Sequence, residues 1–184
     1  MHVFSTWRLP AKRLAATLAV ACVLACSPTF NWREVHFAGA ALAVQLPCKP
    51  DQGAKTVALA GHEVEMAMVG CAAGGATFAV AHVLFPAPAE AGAALANWRA
   101  ATLAALQARE PREMRFAPAG SLALPQAGQV RADGTQPDGS PVAAEVAWFA
   151  HSAADGLHLY QATVYARTLD AEAAQLFFAG LRFE

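Results

Sequence analysis

A short apolar segment near the start of the chain most constrains what the rest can fold into. It runs from Leu14 to Ala25, about a dozen residues, which fits the core of a secretory signal and falls short of the roughly 20 residues that span a bilayer as a helix. The head in front of it carries three basic residues and no acidic one: Arg8, Lys12 and Arg13. Pro28 then ends any helical continuation. We therefore expect residues 1–25 to be a signal peptide, so that the fold is built from the residues that follow.

Cys26 directly follows this segment, behind Val23, Leu24 and Ala25. The order of basic head, apolar core, small residue and cysteine resembles the export signal of bacterial lipoproteins. In that family the cysteine sulfur receives a diacylglyceryl group and becomes the first residue of the mature chain. The resemblance implies lipid attachment at Cys26, a lipidated tether over residues 26–35 and a position on the periplasmic side of an envelope membrane. Ser27, which follows the cysteine, implies transfer to the outer membrane, whereas Asp at that position favours retention at the inner one.

The same residues leave two other outcomes open for the segment. Ordinary signal cleavage after Ala25 would release the chain without lipid, because Val23, Leu24 and Ala25 also resemble a small-x-small site. The segment could instead stay uncleaved as a tilted signal anchor in the inner membrane.

The cysteines support export into an oxidising space. Cys22 lies inside the apolar segment and is lost with a cleaved signal, and lipid on Cys26 would leave Cys48 and Cys71 as an even pair. An even pair in an oxidising compartment predicts one disulfide. Closing a loop of about 23 residues would stabilise the fold by roughly 3 kcal/mol in the chain-entropy model. A catalytic or redox role is not expected for this pair, since it lacks the Cys-x-x-Cys spacing that lowers a thiol pKa.

Charge excludes some classes of partner. From residue 26 onward, ten Lys and Arg stand against 14 Asp and Glu, a net charge of −4. A nucleic-acid partner would need a clustered basic surface, so none is expected. The negative net charge also argues against electrostatic adhesion to anionic lipid, so any membrane attachment would depend on the acyl chains.

Alternation of apolar and polar residues predicts four strands, then a helix, then three or four more strands. The helix is expected over residues 90–109, ended by Pro111, and a second helix is expected after Asp170 as its N-cap. The strands are predicted over 35–47, 55–59, 62–69, 76–85, 128–132, 142–151 and 157–167, with weaker ones near 114–117 and 181–183. This order predicts a single α+β domain over residues 36–184, a mostly antiparallel sheet of about six to seven strands flanked by two helices.

Several of these segments resemble a known family. The strand Leu42–Pro47 has the apolar-x-apolar-x-Leu-Pro form that opens small exported bacterial proteins with the PsbP-like sandwich fold, and further similar segments follow in order. They are residues 61–68, 76–82, 148–150, 159–162 and 174–181. The similarity covers nearly all of residues 36–184 and implies an α/β/α sandwich and an envelope protein without established activity. The Cys48–Cys71 pair is not a general feature of that fold.

Candidate chemistry is sparse in the part of the chain that follows the signal. Its histidines show no His-x-His, His-x-x-His or Glu-x-x-His spacing, and no Gly-x-Ser-x-Gly or phosphate-loop motif occurs. His151 and His158 flank one predicted turn and could face each other across a hairpin, whereas His82 inside an apolar strand is expected in the core or an interface. Trp98, Phe177, Phe178 and Trp148 are expected to be core residues.

We therefore expect no catalytic residue, no cofactor and no metal ligand. The function that the sequence favours is a non-catalytic, membrane-anchored envelope lipoprotein, a binding or accessory module for an envelope protein partner. The alternative is an envelope enzyme or metal-handling protein that uses His151 and His158.

Overall fold

A computed structural model describes residues 29–37 and 39–184. The predicted signal peptide and the predicted lipid attachment site, Cys26, lie outside these residues. Within them the chain forms two α-helices and ten strands, all of whose pairings are antiparallel. The strands are β1 Arg33–His36, β2 Leu42–Leu46, β3 Asp51–Leu59, β4 His62–Ala73, β5 Ala76–Phe85, β6 Arg109–Met114, β7 Gly128–Thr135, β8 Pro141–Ala153, β9 Gly156–Ala166 and β10 Arg182–Phe183, and the helices are α1 Ala91–Ala105 and α2 Ala171–Ala179.

The strands form one large and one small sheet. The large sheet has seven strands in the order β3-β4-β5-β9-β8-β7-β6, and the small sheet has three in the order β1-β2-β10. A mostly antiparallel α+β fold with two helices is thus confirmed, and the large sheet has the predicted number of strands. The separate small sheet was not predicted: the segment expected as one strand over residues 35–47 is divided into β1 and β2 by a turn that includes Gly39.

Each face of the large sheet carries its own apolar core. On one face α1 buries Ala91, Ala94, Leu95 and Trp98, a stripe at helical spacing, against residues of β5, β7, β8 and β9. On the other face α2 and the small sheet cover a second core. Phe177 of α2 packs edge-on against Phe78 of β5, with ring centroids 5.6 Å apart. The sheet is therefore the middle layer, which explains why its central strands are apolar on both sides.

Helix α2 begins where its cap residue predicts. The Asp170 side chain accepts hydrogen bonds from the backbone N–H groups of Glu172 and Ala173, both at 3.0 Å. Helix α1 ends earlier than expected, at Ala105, and Pro111 lies inside β6. Proline is tolerated there because β6 is the last strand of the sheet and needs hydrogen bonds on one side only.

The segment predicted as a tether is partly ordered against the domain. Residues 33–36 form β1, which pairs with β2. Ahead of β1, Phe30 and Trp32 place their rings 6.3 and 6.1 Å from the ring of Phe78. The folded domain therefore begins before the expected boundary at residue 36.

The disulfide between Cys48 and Cys71 is present, with the two Cα atoms 5.9 Å apart. Cys48 follows β2 of the small sheet, and Cys71 lies in β4 of the large one. The bridge therefore joins the two sheets covalently.

Candidate functional site

Helix α1 covers only part of its face of the sheet and leaves one corner open. The carbonyl oxygen of Leu106, just past the helix, accepts a hydrogen bond from the Thr135 N–H of β7 at 2.8 Å. A Cβ at Gly134 would lie 2.2 Å from that oxygen, so only glycine allows this approach. Because the end of the helix is held over β7, the corner formed by β3, β4 and β5 stays open.

This open corner and the space beneath the helix form what we call the α1-side cleft. Its first part has a volume of about 580 Å³ over the open corner. Small residues form its floor, namely Gly70 and Ala72 of β4 and Ala79 of β5. Met66 and Met68 project beside them, and 43% of the surface of Met68 is exposed. A flexible methionine over a floor of small residues gives an adaptable apolar surface.

The second part of the cleft lies under the C-terminal half of α1 and has a volume of about 500 Å³. It meets the first part at Thr77, which lines both. Polar groups converge here: the Gln161 Oε1 accepts from Trp148 Nε1 at 2.9 Å and from Thr102 Oγ1 at 2.7 Å. Burial raises the pKa of the nearby Tyr165, so its hydroxyl stays protonated at neutral pH. A long apolar surface that ends in a few fixed polar groups is the usual form of a ligand site.

A second group of polar side chains is buried on the other face of the sheet. His82 of β5 and His158 of β9 contact each other, with His82 Nε2 and His158 Nδ1 2.8 Å apart. His158 Nε2 lies 2.9 Å from the Asp155 carboxylate. Since a carboxylate only accepts, His158 donates from Nε2, and its Nδ1 accepts from His82 while both rings are neutral.

Burial, together with the neighbouring His158, lowers the pKa of His82 to about 4, and the Asp155 carboxylate acts in the opposite direction. The ring of Tyr160 lies 5.0 Å from that of His82, and burial raises the Tyr160 pKa. Among the described residues the Tyr160 hydroxyl has no hydrogen-bond partner. His82 is thus a neutral, hydrogen-bonded residue of the core at pH 7, which agrees with the core position expected for it.

The structure brings His151 and His158 to directly opposed positions of the β8–β9 hairpin, as the sequence indicated. Three of their four ring nitrogens are engaged elsewhere, however. His158 uses both nitrogens in the contacts with His82 and Asp155, and His151 Nδ1 donates to the Gly120 carbonyl at 2.9 Å. A metal at this pair would have to displace those hydrogen bonds, so the geometry gives the metal-handling alternative no open ligand pair.

In the described ranges, one group of three potential metal ligands was not foreseen: Glu34, His36 and Glu184. The His36 Nδ1 lies 3.0 Å from Glu184 Oε2, and its Nε2 lies 3.3 Å from Glu34 Oε1. Arg182 also pairs with Glu34, and this hydrogen bond holds the Glu34 pKa below its usual range. These groups are solvent-exposed and compensate one another. Sequence spacing could not reveal them, because β1 and β10 meet only through their shared neighbour β2.

No family model matches the chain, and no curated protein matches its sequence. A solved structure with a similar course of the chain is LpqN, described as involved in cell envelope biogenesis of Mycobacterium tuberculosis. It shares 12% identity at a TM-score of 0.42, and the similarity covers 83% of this chain and 90% of LpqN. In the part of the chain that the structure describes, no helix has the length and apolar character needed to cross a membrane.

Proposed function

We propose that this chain is a non-catalytic lipoprotein of the bacterial cell envelope that faces the periplasm and binds a partner through the α1-side cleft. The observation that carries the proposal is the cleft itself. It joins an open apolar surface around Met68 to the half-buried polar group at Gln161. Such a surface suits an extended segment of a partner protein that offers an apolar stretch followed by hydrogen-bonding groups.

The lipid anchor is supported by the cysteines. The disulfide uses Cys48 and Cys71, so that Cys26 is the one cysteine from residue 26 onward without a partner in this pairing. A diacylglyceryl group on its sulfur accounts for it in a compartment where free thiols are oxidised. Ser27 after the cysteine favours the outer membrane, and a signal anchor in the inner membrane is the alternative.

The fold family we assign is the PsbP-like sandwich. A mainly antiparallel sheet with α1 on one face and α2 on the other agrees with what the resemblance of the Leu42–Pro47 strand implies. The three-stranded sheet beside α2 was not among the features that the resemblance implies. An experimental structure superposed on PsbP-like domains tests it, and a different strand order in the large sheet would exclude the family.

The anchor is tested by Cys26→Ala in the full chain. We expect wild-type protein to incorporate a fatty-acid tracer and to sediment with membranes, and the variant to lack the label and to be released. Cys22→Ala is the matched control, since it removes a cysteine of the apolar segment and leaves Cys26. An unlabelled wild-type protein whose intact mass begins at Met1 would instead establish the uncleaved anchor.

The cleft is tested by a photo-crosslinking residue placed at Met68 in living cells. The matched control is the same residue at Leu176 on α2, which is 49% exposed against 43% for Met68 but lies on the other side of the sheet. We expect a specific envelope protein to be captured from position 68 and not from position 176. Equal capture from both positions, or none from position 68, would exclude the cleft as the binding surface.

A further inference from the structure

The two edge strands of the large sheet differ in how they meet solvent. The edge strand β6 has the sequence Arg-Glu-Pro-Arg-Glu-Met, with a proline, four charges and a shift of register between Arg109 and Arg112. These are the features by which proteins prevent a sheet edge from pairing with another strand. The edge strand β3 lacks the proline and the register shift: it runs for nine residues in continuous register with β4, and its two charges, Asp51 and Lys55, are of opposite sign.

The outer side of β3 is also accessible. Its first six residues, 51–56, are all exposed, and within the described residues its only strand partner is β4. In an antiparallel edge strand, every second residue directs its backbone N–H and C=O away from the neighbouring strand. The free edge of β3 therefore offers a straight row of backbone groups to an incoming strand.

Gly53 lies in the middle of this accessible row. A glycine inside a strand usually marks a bulge, a sharp bend or a place where another backbone approaches closely. The pairing of β3 with β4 shows no bulge, and the space around a Cβ at Gly53 is empty to 4 Å. Close approach of another strand is the explanation that these observations leave.

The charges around Gly53 identify a strand that fits. Asp51 and Lys55 lie two residues before and two after it, on the same face of the sheet. They are about 13 Å apart along the strand, too far to pair with each other. Within the described residues neither of them forms an ion pair. In an antiparallel pairing of two β3 strands centred on Gly53, Asp51 of each copy lies opposite Lys55 of the other.

We infer that β3 is the edge along which two copies of this chain pair, with Gly53 on the two-fold axis and two Asp51–Lys55 pairs across it. The two large sheets then continue into one another. Such an interface is isologous, since the same strand serves both copies, and it closes at two subunits. Residues 51–55 of β3 also line the first part of the α1-side cleft, but the inference depends neither on a partner protein in that cleft nor on lipid attachment.

A charge exchange tests the pairing in solution, in the exported full chain carrying Cys26→Ser so that lipid does not cause association. Light scattering and sedimentation should show a monomer–dimer equilibrium that weakens with salt. In the proposed dimer, either single variant, Lys55→Asp or Asp51→Lys, would place like charges opposite each other at two symmetric positions. Each should therefore weaken the dimer by roughly tenfold or more. The double variant Asp51→Lys with Lys55→Asp should restore it, whereas Arg112→Asp, the same charge change on β6, should leave it unchanged.

A thiol placed on the proposed axis tests the register. Opposed residues of antiparallel strands have Cα atoms about 4.5–5.5 Å apart, which allows a disulfide. Gly53→Cys should therefore give a covalent dimer on mild oxidation. The control Thr56→Cys should not, because the two thiols would be about 20 Å apart along the strands. A wild-type chain that stays monomeric up to roughly millimolar concentration, or a double variant that fails to restore the dimer, would overturn the inference.

Discussion

The buried histidine pair makes the stability of the domain depend on pH in a window that can be calculated. The pKa of His82 is about 4 in the folded protein, against about 6.5 in an unfolded chain. At pH values between these two pKa values, His82 binds a proton in the unfolded chain but not in the folded protein, so protonation favours unfolding. The stabilisation is complete above pH 6.5 and is lost as the pH falls towards 4.

The size of the effect follows from the shift. A difference of about 2.5 pKa units, at 1.36 kcal/mol each, corresponds to about 3 kcal/mol of unfolding free energy. The titratable groups that face His82 are His158, Asp155 and Tyr160. Tyr160 stays neutral throughout this window, and the lowered pKa of Asp155 places its own contribution at more acidic pH, below about 4.

Urea unfolding at a series of pH values from 7.5 to 4 measures this directly. We expect the unfolding free energy of the wild-type protein to fall steeply across the window and that of His82→Gln to fall by about 3 kcal/mol less. Glutamine can still donate a hydrogen bond to His158, which limits the damage to the core. The comparison uses the slope against pH, so a general loss of stability in the variant does not affect it. Parallel curves for the two proteins would refute the reasoning.

Three further predictions concern covalent and local contacts, each measured by urea unfolding. Replacing Cys48 and Cys71 by serine opens a loop with a sequence separation of 23 and should lower the unfolding free energy by roughly 3 kcal/mol; an unchanged value would contradict the chain-entropy argument. Gly134→Ala places a Cβ against the Leu106 carbonyl and should cost about 1–3 kcal/mol, and wild-type stability would show that α1 can shift away from β7. Asp170→Ala removes two cap hydrogen bonds and should cost about 1 kcal/mol, whereas Asp170→Asn, which keeps an acceptor, should cost little.

Elements with a strong local signal could be predicted from the sequence. The cap at Asp170 located the start of α2, and the apolar alternation of residues 42–46 located β2. The disulfide followed from the parity of the cysteines and the compartment that the signal indicates. The first two signals lie within a few neighbouring residues, and the third needs only one pair of cysteines.

The sequence patterns predicted only residues 55–59 of β3 and placed the strand near β6 at 114–117, and they did not predict contacts between distant residues. The first six residues of β3 and all six of β6 are exposed, so neither segment shows the apolar alternation by which a strand is recognised. The contact of His82 with His158 spans 76 residues and depends on β5 and β9 being neighbours. The cleft depends on where α1 lies on the sheet, and one contact that positions its end is the Leu106 carbonyl over Gly134, 28 residues further along the chain.

The position of Cys48 has a mechanical consequence. A pulling force applied to the chain before Thr29 would reach β1 first and β2 next, since both precede the bridge. Peeling those strands would release about 65 Å of extended chain, and the load would then pass through the sulfur atoms into β4. Beyond Cys48 the chain could extend further only if the disulfide broke or β4 were pulled out of the large sheet. The domain can therefore lengthen under tension while its large sheet stays intact.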